Sequence, residues 1–221
     1  MNSFSTVFGL FALKSYSMKN IFLYILAIVC LLSSCKGSDP VPPYVYEANP
    51  HYSFGYAEFF GAYYAAYGNK NNVISLSLFS DSLSINNLGN LVGFGQYLFL
   101  EDVFVDTTDT ILPQTTYTID DSGLPNTVAP GKNDTIDDQI YTLGATISYY
   151  EQNAAKSTVK RITSGTFTLS KVGSNYNIVC NFKTADKKDL KGSFSARLPY
   201  FDESLTNPSL SPRKRLIYQK K

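Results

Sequence analysis

The sequence predicts an all-β fold, built as a single antiparallel barrel of roughly eight strands, with a β-sandwich as the alternative. Apolar residues alternate with polar ones along most of the chain, and almost no stretch shows the 3.6-residue period of a helix. Short clusters of glycine, asparagine and aspartate separate these stretches, as turns separate strands. With 221 residues, 44% of them hydrophobic, the chain can fill one well-packed core.

The predicted barrel domain spans residues 51–203, and its first strands differ in clarity. Residues 54–67 carry a dense aromatic load with glycines at 55, 61 and 68, which favours a bent strand over a helix. In the next run, Ile74, Leu76 and Leu78 share one face of a strand because side chains alternate with period two. Further β-rich runs follow at 97–105, 115–119 and 145–150.

The C-terminal half gives the clearest pattern, a three-stranded antiparallel meander. Strands at 165–169, 176–182 and 194–198 are separated by turns at 171–175 and 185–189. Each strand carries its apolar residues in one phase, so these residues are predicted to face one interior. The predicted core positions are Phe167, Ile178, Phe182 and Phe194, with Cys180 as a small core residue.

The N-terminus carries a secretory signal. A lysine at position 19 precedes the apolar run 21–32, which is too short for a membrane-spanning helix of about 20 residues. The sequence Leu-Ser-Ser-Cys at 32–35 resembles the lipobox of bacterial lipoproteins. That resemblance implies removal of residues 1–34 and attachment of diacylglycerol and acyl chains to Cys35. Translation begins at Met1 or, because a second apolar patch precedes Lys14, at Met18.

Two segments flank the predicted domain. Residues 35–50 contain four prolines and little hydrophobic periodicity, which indicates an extended tether between the lipidated cysteine and the domain. Residues 204–221 form a basic tail with five lysines and arginines. The tail is either a solvated segment or a contact for anionic headgroups.

Short motifs along the domain resemble lipocalin-like lipoproteins of Gram-negative gut anaerobes. The matching pieces are Leu-Pro at 112–113, Tyr-Thr at 117–118, the Gly-Thr strand at 164–169, the return strand at 176–182 and Lys-Gly-Ser-Phe at 191–194. The resemblance implies a calycin-type β-barrel and a lipid anchor in the outer membrane, on the periplasmic side or at the cell surface. It implies no catalytic residues.

The inventory of reactive side chains predicts that the protein is not an enzyme. The only histidine, His51, stands beside Pro50 at the end of the tether, and the chain lacks nucleophile-elbow, P-loop and zinc motifs. We predict no catalytic residue, no metal site and no cofactor. Glu58 and Glu101 are the candidate site residues, because a glycosidase could use two such carboxylates as acid and base. The alternative, favoured by strand alternation, is that both point outward into solvent.

Acidic residues also cluster at 102–109, 120–121 and 133–138. None of these runs matches the spacing of a calcium-binding loop. Aspartate and asparagine favour turns for local backbone reasons, so the runs are predicted to be solvated turns.

Three functions remain open on this sequence. The first is a membrane-anchored binding module, without catalysis, for a small molecule, a glycan or an envelope protein. The second is a structural or assembly component of an envelope complex, and the third is a carboxylate-based glycan hydrolase. A net charge of +1 gives no general field for nucleic acid, which we exclude as a partner.

Overall fold

The computed structural model describes residues 46–88, 90–136, 138–151 and 156–204, which form an all-β structure. The predicted signal peptide, Cys35, most of the tether and residues 205–221 of the tail lie outside these residues. The strands are β1 His51–Gly61, β2 Asn72–Ser80, β3 Leu83–Ile85, β4 Leu91–Gly93, β5 Gly95–Val105, β6 Thr116–Ile119, β7 Thr127–Val128, β8 Lys132–Ile136, β9 Gln139–Leu143, β10 Ala145–Glu151, β11 Lys156–Val172, β12 Asn175–Thr184, β13 Asp189–Leu190, β14 Ser193–Ala196 and β15 Tyr200–Asp202. No helix in the described residues is long and apolar enough to cross a membrane.

The main sheet has eleven strands, and its pairings form a ring. The ring follows the order β1, β2, β5, β10, β11, β12 and β14, and β14 pairs again with β1. The short strands β6 and β7 join β11 to β5 beyond the end of β10, and β13 and β15 pair with β12 and β1. Two hairpins, β3–β4 and β8–β9, form separate two-stranded sheets.

The sheet is mixed, so the prediction of a purely antiparallel sheet is wrong. Six successive ring pairings are antiparallel, and the closing pair, β14 with β1, is parallel. The reason is geometric: an odd number of strands cannot alternate in direction around a ring without one parallel neighbour. The strand β15 also runs parallel to β1, and β6 runs parallel to β7.

A bent strand, β11, connects two parts of the ring. Its first residues pair with β10, and from Ile162 onward it pairs with β12. The register shifts between Ile162 and Ser164, and Gly165 follows with φ of +112°. A Cβ atom at Gly165 would lie 2.2 Å from the carbonyl oxygen of Asn181, so a side chain at this bend would collide with β12.

The interior of the ring holds the main core. One cluster of buried side chains includes Leu76 and Leu100 from one wall and Phe167 and Phe194 from the opposite wall. The four core positions predicted from the meander, Phe167, Ile178, Phe182 and Phe194, all belong to this cluster, so that prediction is confirmed. Cys180 is also buried there, as predicted. The meander itself is confirmed by the pairing of β12 with both β11 and β14.

The ring has two ends, which we name by the course of β1. At the near end β1 begins, and Tyr52 pairs with Ser80 at the end of β2. At the far end β1 stops at Gly61, and a short 3₁₀ helix at Ala65–Tyr67 leads to β2. Residues 54–67 are therefore a strand only as far as Gly61, and the predicted single bent strand is wrong beyond that point.

Candidate functional site

An unusual apolar surface lies on the outside of the ring, opposite the main core. We call it the aromatic face, and it extends across β15, β1, β2 and β5. Antiparallel sheets of soluble proteins commonly place polar side chains on the face that points away from the core. Here six aromatic side chains occupy that position. They are Phe54, Tyr56, Phe79, Tyr97, Phe99 and Phe201.

Strand register brings the central three rings together. Phe54 lies directly opposite Phe79, and Phe79 lies directly opposite Tyr97. The ring centroids of Phe54 and Phe79 are 4.6 Å apart with an interplanar angle of 5°, and those of Phe79 and Tyr97 are 4.6 Å apart with an angle of 4°. The three rings therefore form a continuous parallel stack across three strands, an arrangement that cross-strand pairs stabilise.

Phe79 shows how closely this stack is packed. Its side chain is only 3% exposed, although it belongs to neither cluster of core residues. Its two ring faces are covered by Phe54 and Tyr97. The strand β2 is therefore buried on both of its faces, because Ser75 and Ser77 in the same outer phase are each 1% exposed.

The close packing of β1 against β2 depends on a glycine. Gly55 faces the ring interior and lies opposite Leu78. A Cβ atom at this position would lie 2.5 Å from the carbonyl oxygen of Ser77 and 2.6 Å from Cδ2 of Leu78. Glycine at 55 lets β1 approach β2 closely enough for Phe54 and Phe79 to stack.

Hydroxyl groups lie beside the rings. Ser77 Oγ and the Tyr97 hydroxyl share a hydrogen bond of 3.1 Å. Burial raises the pKa of Tyr97 well above its usual range, and the hydrogen bond from Ser77 opposes this shift. Tyr97 is therefore a neutral phenol at physiological pH, and its hydroxyl is hydrogen-bonded to Ser77 within the aromatic face.

The outer rim of the face is formed by Tyr56 and Phe201. Their ring centroids are 5.9 Å apart in an edge-to-face arrangement, with an interplanar angle of 75°. Phe201 is 51% exposed, which makes it the most accessible ring of the six. An exposed aromatic ring continuous with a buried stack is typical of a contact surface.

The candidate residue Glu58 lies next to this rim on β1. It pairs in register with Ser75, whose hydroxyl donates a hydrogen bond of 2.8 Å to the Glu58 carboxylate. Glu58 is partly exposed on the outer face, as strand alternation predicts.

The second candidate, Glu101, is not exposed to solvent as the alternation pattern predicted. It is 6% exposed, and its carboxylate accepts a hydrogen bond of 2.8 Å from the backbone N–H of Gly144. The pairing of β5 with β2 shifts register between Ile74 and Leu76, so an extra residue of β5 is inserted at Glu101 and Asp102. Because of this bulge, Glu101 and Asp102 do not alternate between the two faces of the sheet, and both are buried.

The structure holds Glu58 and Glu101 on different strands, each with its own hydrogen-bond partner. The strand β2 lies between β1 and β5, so the two backbones are about 10 Å apart in the hydrogen-bonding direction. Asp102, the next residue of the bulge, is fully buried and accepts a hydrogen bond of 2.8 Å from the Tyr64 hydroxyl. The prediction that the acidic run 102–109 is a solvated turn is therefore wrong for Asp102, and Asp134 at 7% exposure is also buried.

The other reactive side chains occupy separate places. His51 is exposed at the start of β1, with Nδ1 3.4 Å from Ser193 Oγ. Burial raises the pKa of the Cys180 thiol to about 12, so it is a protonated core group rather than a nucleophile.

Two of the surface hollows are lined by residues that the structure describes. One, of about 460 Å³, lies at the far end, where Asn69 and Asn71 both donate side-chain hydrogen bonds to the Gly123 carbonyl. The other, of about 250 Å³, lies beside β11, where Lys160 forms an ion pair with Asp186. These four polar groups already bond to other residues of the chain.

The sequence alone did not predict the aromatic face as a site. One signal was present, since Phe54, Tyr56 and Glu58 alternate on β1 in the phase opposite to Ala57. No protein-family model, curated protein or solved structure matches the chain.

Proposed function

We propose that this protein is a lipid-anchored envelope lipoprotein that binds a partner protein through its aromatic face and has no catalytic activity. The anchor is Cys35, and the membrane is the bacterial outer membrane. The observation that carries the binding role is the group of aromatic side chains on the outside of the ring, where Tyr56 is partly exposed and Phe201 is 51% exposed. One face of this sheet packs on the core of the protein, and the opposite face is also apolar. Exposed apolar patches of this kind mark sites of interaction with other molecules.

The fold in this proposal is a closed, lipocalin-like barrel. Its support is the ring of strand pairings, together with the core cluster that joins side chains from opposite walls. This cluster combines large residues such as Phe167 and Phe194 with small and branched ones such as Ala57 and Leu76. Binding on the outside of the barrel therefore has more support than binding inside it.

A protein partner fits the aromatic face better than a sugar. Sugar rings stack on the exposed face of an aromatic ring, whereas both faces of the central ring, Phe79, are covered by Phe54 and Tyr97. The rings and the buried serines carry no charge, and Glu58 stands at the rim. Interface cores between proteins have this composition, with aromatic residues enriched and charged residues depleted.

The absence of catalysis is proposed from the roles of the two candidate carboxylates. Glu58 accepts a bond from Ser75, and Glu101 accepts one from the Gly144 backbone inside a β-bulge. Each carboxylate therefore stabilises the sheet through a hydrogen bond to a neighbouring strand or turn. A carboxylate with a backbone partner of this kind needs no catalytic role to explain its burial.

The anchor is tested by metabolic labelling with a fatty-acid analogue. We expect the wild-type protein to be labelled and to fractionate with membranes, and Cys35→Ala to lose the label and the membrane association. Equal labelling of wild type and Cys35→Ala would contradict the anchor.

The aromatic face is tested by site-specific photo-crosslinking in intact cells. A benzoylphenylalanine residue replaces Tyr56 or Phe201, and in a matched control it replaces Val179, which is 61% exposed on β12 on another side of the ring. We expect one discrete, protease-sensitive adduct from positions 56 and 201 and none from position 179.

Two results would contradict the protein-binding role. One is the same adducts from position 179 as from positions 56 and 201, or no adduct from either of these. The other is an adduct that resists proteases and is removed by glycosidases, which would make the ligand a glycan.

A further inference from the structure

The hairpin β3–β4 is a second apolar feature, distinct from the aromatic face. It connects β2 to β5 and carries three exposed apolar side chains. Ile85 is 44% exposed, Leu88 is 83% exposed and Phe94 is 50% exposed. A group of exposed apolar side chains on one short hairpin is typical of a site that contacts another protein or a membrane.

The hairpin is held firmly on the ring. At its base Leu83 is 1% exposed, and a Cβ atom at Gly95 would lie 3.3 Å from Leu83 Cγ. At its tip the Asn86 side chain accepts hydrogen bonds of 3.0 Å from the backbone N–H groups of Leu88 and Asn90. The Asn86 N–H donates to the Asn90 carbonyl at 2.9 Å and closes the turn. The turn therefore fixes Leu88 in an exposed position.

The hairpin protrudes from the near end of the ring, where the chain arrives from the predicted tether. The strand β2 ends at Ser80 opposite Tyr52, and the hairpin follows directly. On the other side of the hairpin, Gln96 binds the last part of the tether. The Glu47 N–H donates to Gln96 Oε1 at 2.7 Å, and Gln96 Nε2 donates to the Glu47 carbonyl at 3.2 Å.

The tether limits how far this end can lie from an anchored Cys35. Tyr46 stands eleven positions after Cys35 in the sequence. A fully extended chain of this length spans at most about 40 Å. A lipid on Cys35 would therefore hold the near end within about 40 Å of the bilayer surface, which is within reach of its hairpin.

The composition of the hairpin suits a lipid surface. Residues 82–94 contain no charged side chain, and their polar residues are serines and asparagines. Charged groups resist transfer into the boundary between headgroups and acyl chains, whereas leucine and phenylalanine favour it. Neutral polar groups near the turn can remain among the headgroups while Leu88 reaches the acyl chains.

We propose that the β3–β4 hairpin is a membrane-contacting element that inserts Leu88, with Ile85 and Phe94 beside it, into the lipid surface to which Cys35 is anchored. This inference rests on the proposed lipid anchor. It adds a defined orientation, with the near end toward the bilayer and the far end away from it. The aromatic face, on the side of the ring, then stays accessible to a partner in the same compartment.

The absence of tryptophan from the sequence makes a direct test possible. Leu88→Trp and Phe94→Trp each introduce a single tryptophan into the hairpin. Val172→Trp is the matched control, because Val172 is 70% exposed in the hairpin between β11 and β12 at the far end. The full-length lipidated proteins are reconstituted into phosphatidylcholine vesicles with ordinary or brominated acyl chains, and tryptophan emission is recorded.

We expect brominated lipid to remove most of the emission of the two hairpin variants, which should also shift to shorter wavelength, and to leave Val172→Trp unchanged. Unquenched emission from Leu88→Trp in lipidated, vesicle-bound protein would overturn the hairpin inference while the anchor remains valid. Equal quenching of Val172→Trp would overturn the proposed orientation.

Labelling at Cys35 is measured on the same samples, so failure of the anchor is seen separately. If the chain carries no lipid, quenching is measured with unlipidated protein at increased vesicle concentration. Quenching of Leu88→Trp in that case supports the hairpin without the anchor, and no quenching overturns both. A double variant, Leu88→Asn with Phe94→Asn, should then lose vesicle association relative to the unlipidated wild type.

Discussion

Two walls of the ring use their outer surfaces differently. The wall formed by β11, β12 and β14 has its main apolar face toward the core, and along β12 buried and more exposed residues alternate from Asn175 to Thr184. The wall formed by β1, β2 and β5 is apolar on both sides, and β2 is buried along almost its whole length. The first wall exposes its outer side to solvent, whereas the second carries stacked aromatic side chains on its outer side.

The difference shows which features of a strand the sequence reveals. Where only one face is apolar, period two fixes the phase, and the four predicted core residues of the meander are correct. Where both faces are apolar, the phase is ambiguous, so the aromatic face on β1 and β2 was not separated from the core. The comparison can be tested by removing equivalent side chains from the two walls.

The largest expected effect is in the core of the alternating wall. Phe182 is 1% exposed, and its ring meets that of Phe167 edge to face at a centroid distance of 6.5 Å. Phe182→Ala should lower the free energy of unfolding by about 3 to 5 kcal/mol, because a large side chain is lost where the surroundings collapse only partly. Urea unfolding measures the change.

The control for this substitution lies three residues away on the same strand. Val179 is 61% exposed on the outer side of β12, so Val179→Ala should change the free energy of unfolding by less than about 0.5 kcal/mol. Similar losses for the two variants would mean that the strand does not alternate between core and solvent.

The next effect concerns the stack on the other wall. Phe79→Ala removes the central ring between Phe54 and Tyr97, and we expect a loss of about 2 to 3 kcal/mol. The loss should be smaller than for Phe182→Ala, because the neighbouring rings and solvent can close the gap on an outer face. Phe79→Leu keeps most of the apolar contact and should lose only about 1 kcal/mol. A Phe79→Ala loss below about 0.5 kcal/mol would show that the stack contributes nothing before a partner binds.

A third effect tests whether the inside of the alternating wall excludes water. Burial raises the pKa of the Cys180 thiol to about 12, whereas an unfolded cysteine titrates near about 8.5. Below the unfolded value both states are protonated, and the stability contribution is complete. As the pH rises, the unfolded state loses its proton first, so stability should fall by about 1.4 kcal/mol per pH unit until the folded pKa is reached.

This slope is measured between pH 8.5 and pH 10, below the pKa of unfolded tyrosine at about 10. The comparison is with Cys180→Ala, which should unfold at lower urea concentration but show a flatter dependence on pH in this range. Parallel pH dependences for the two proteins would mean that the thiol is reached by water in the folded state.

The sequence supplied the all-β class and the core of the meander because both depend on local patterns. It did not supply three features that depend on contacts between distant strands. The odd number of ring strands produced the parallel pair β14 and β1, and a bulge opposite Ser75 placed Glu101 and Asp102 inside the structure. The stack of Phe54, Phe79 and Tyr97 needed the register of three strands, which no local pattern contains.

The smallest expected effect distinguishes a structural carboxylate from a catalytic one at the rim of the aromatic face. Glu58 accepts a 2.8 Å hydrogen bond from Ser75, and the side-chain oxygen of glutamine can accept the same bond. Glu58→Gln should therefore change the free energy of unfolding by less than about 0.5 kcal/mol, whereas Glu58→Ala, which has no acceptor, should lose about 1 kcal/mol. Urea unfolding is combined with an assay of polysaccharide hydrolysis by the same proteins. A hydrolase using Glu58 as acid or base would show activity in the wild type that Glu58→Gln abolishes while stability is unchanged, and that result would replace the binding module with an enzyme.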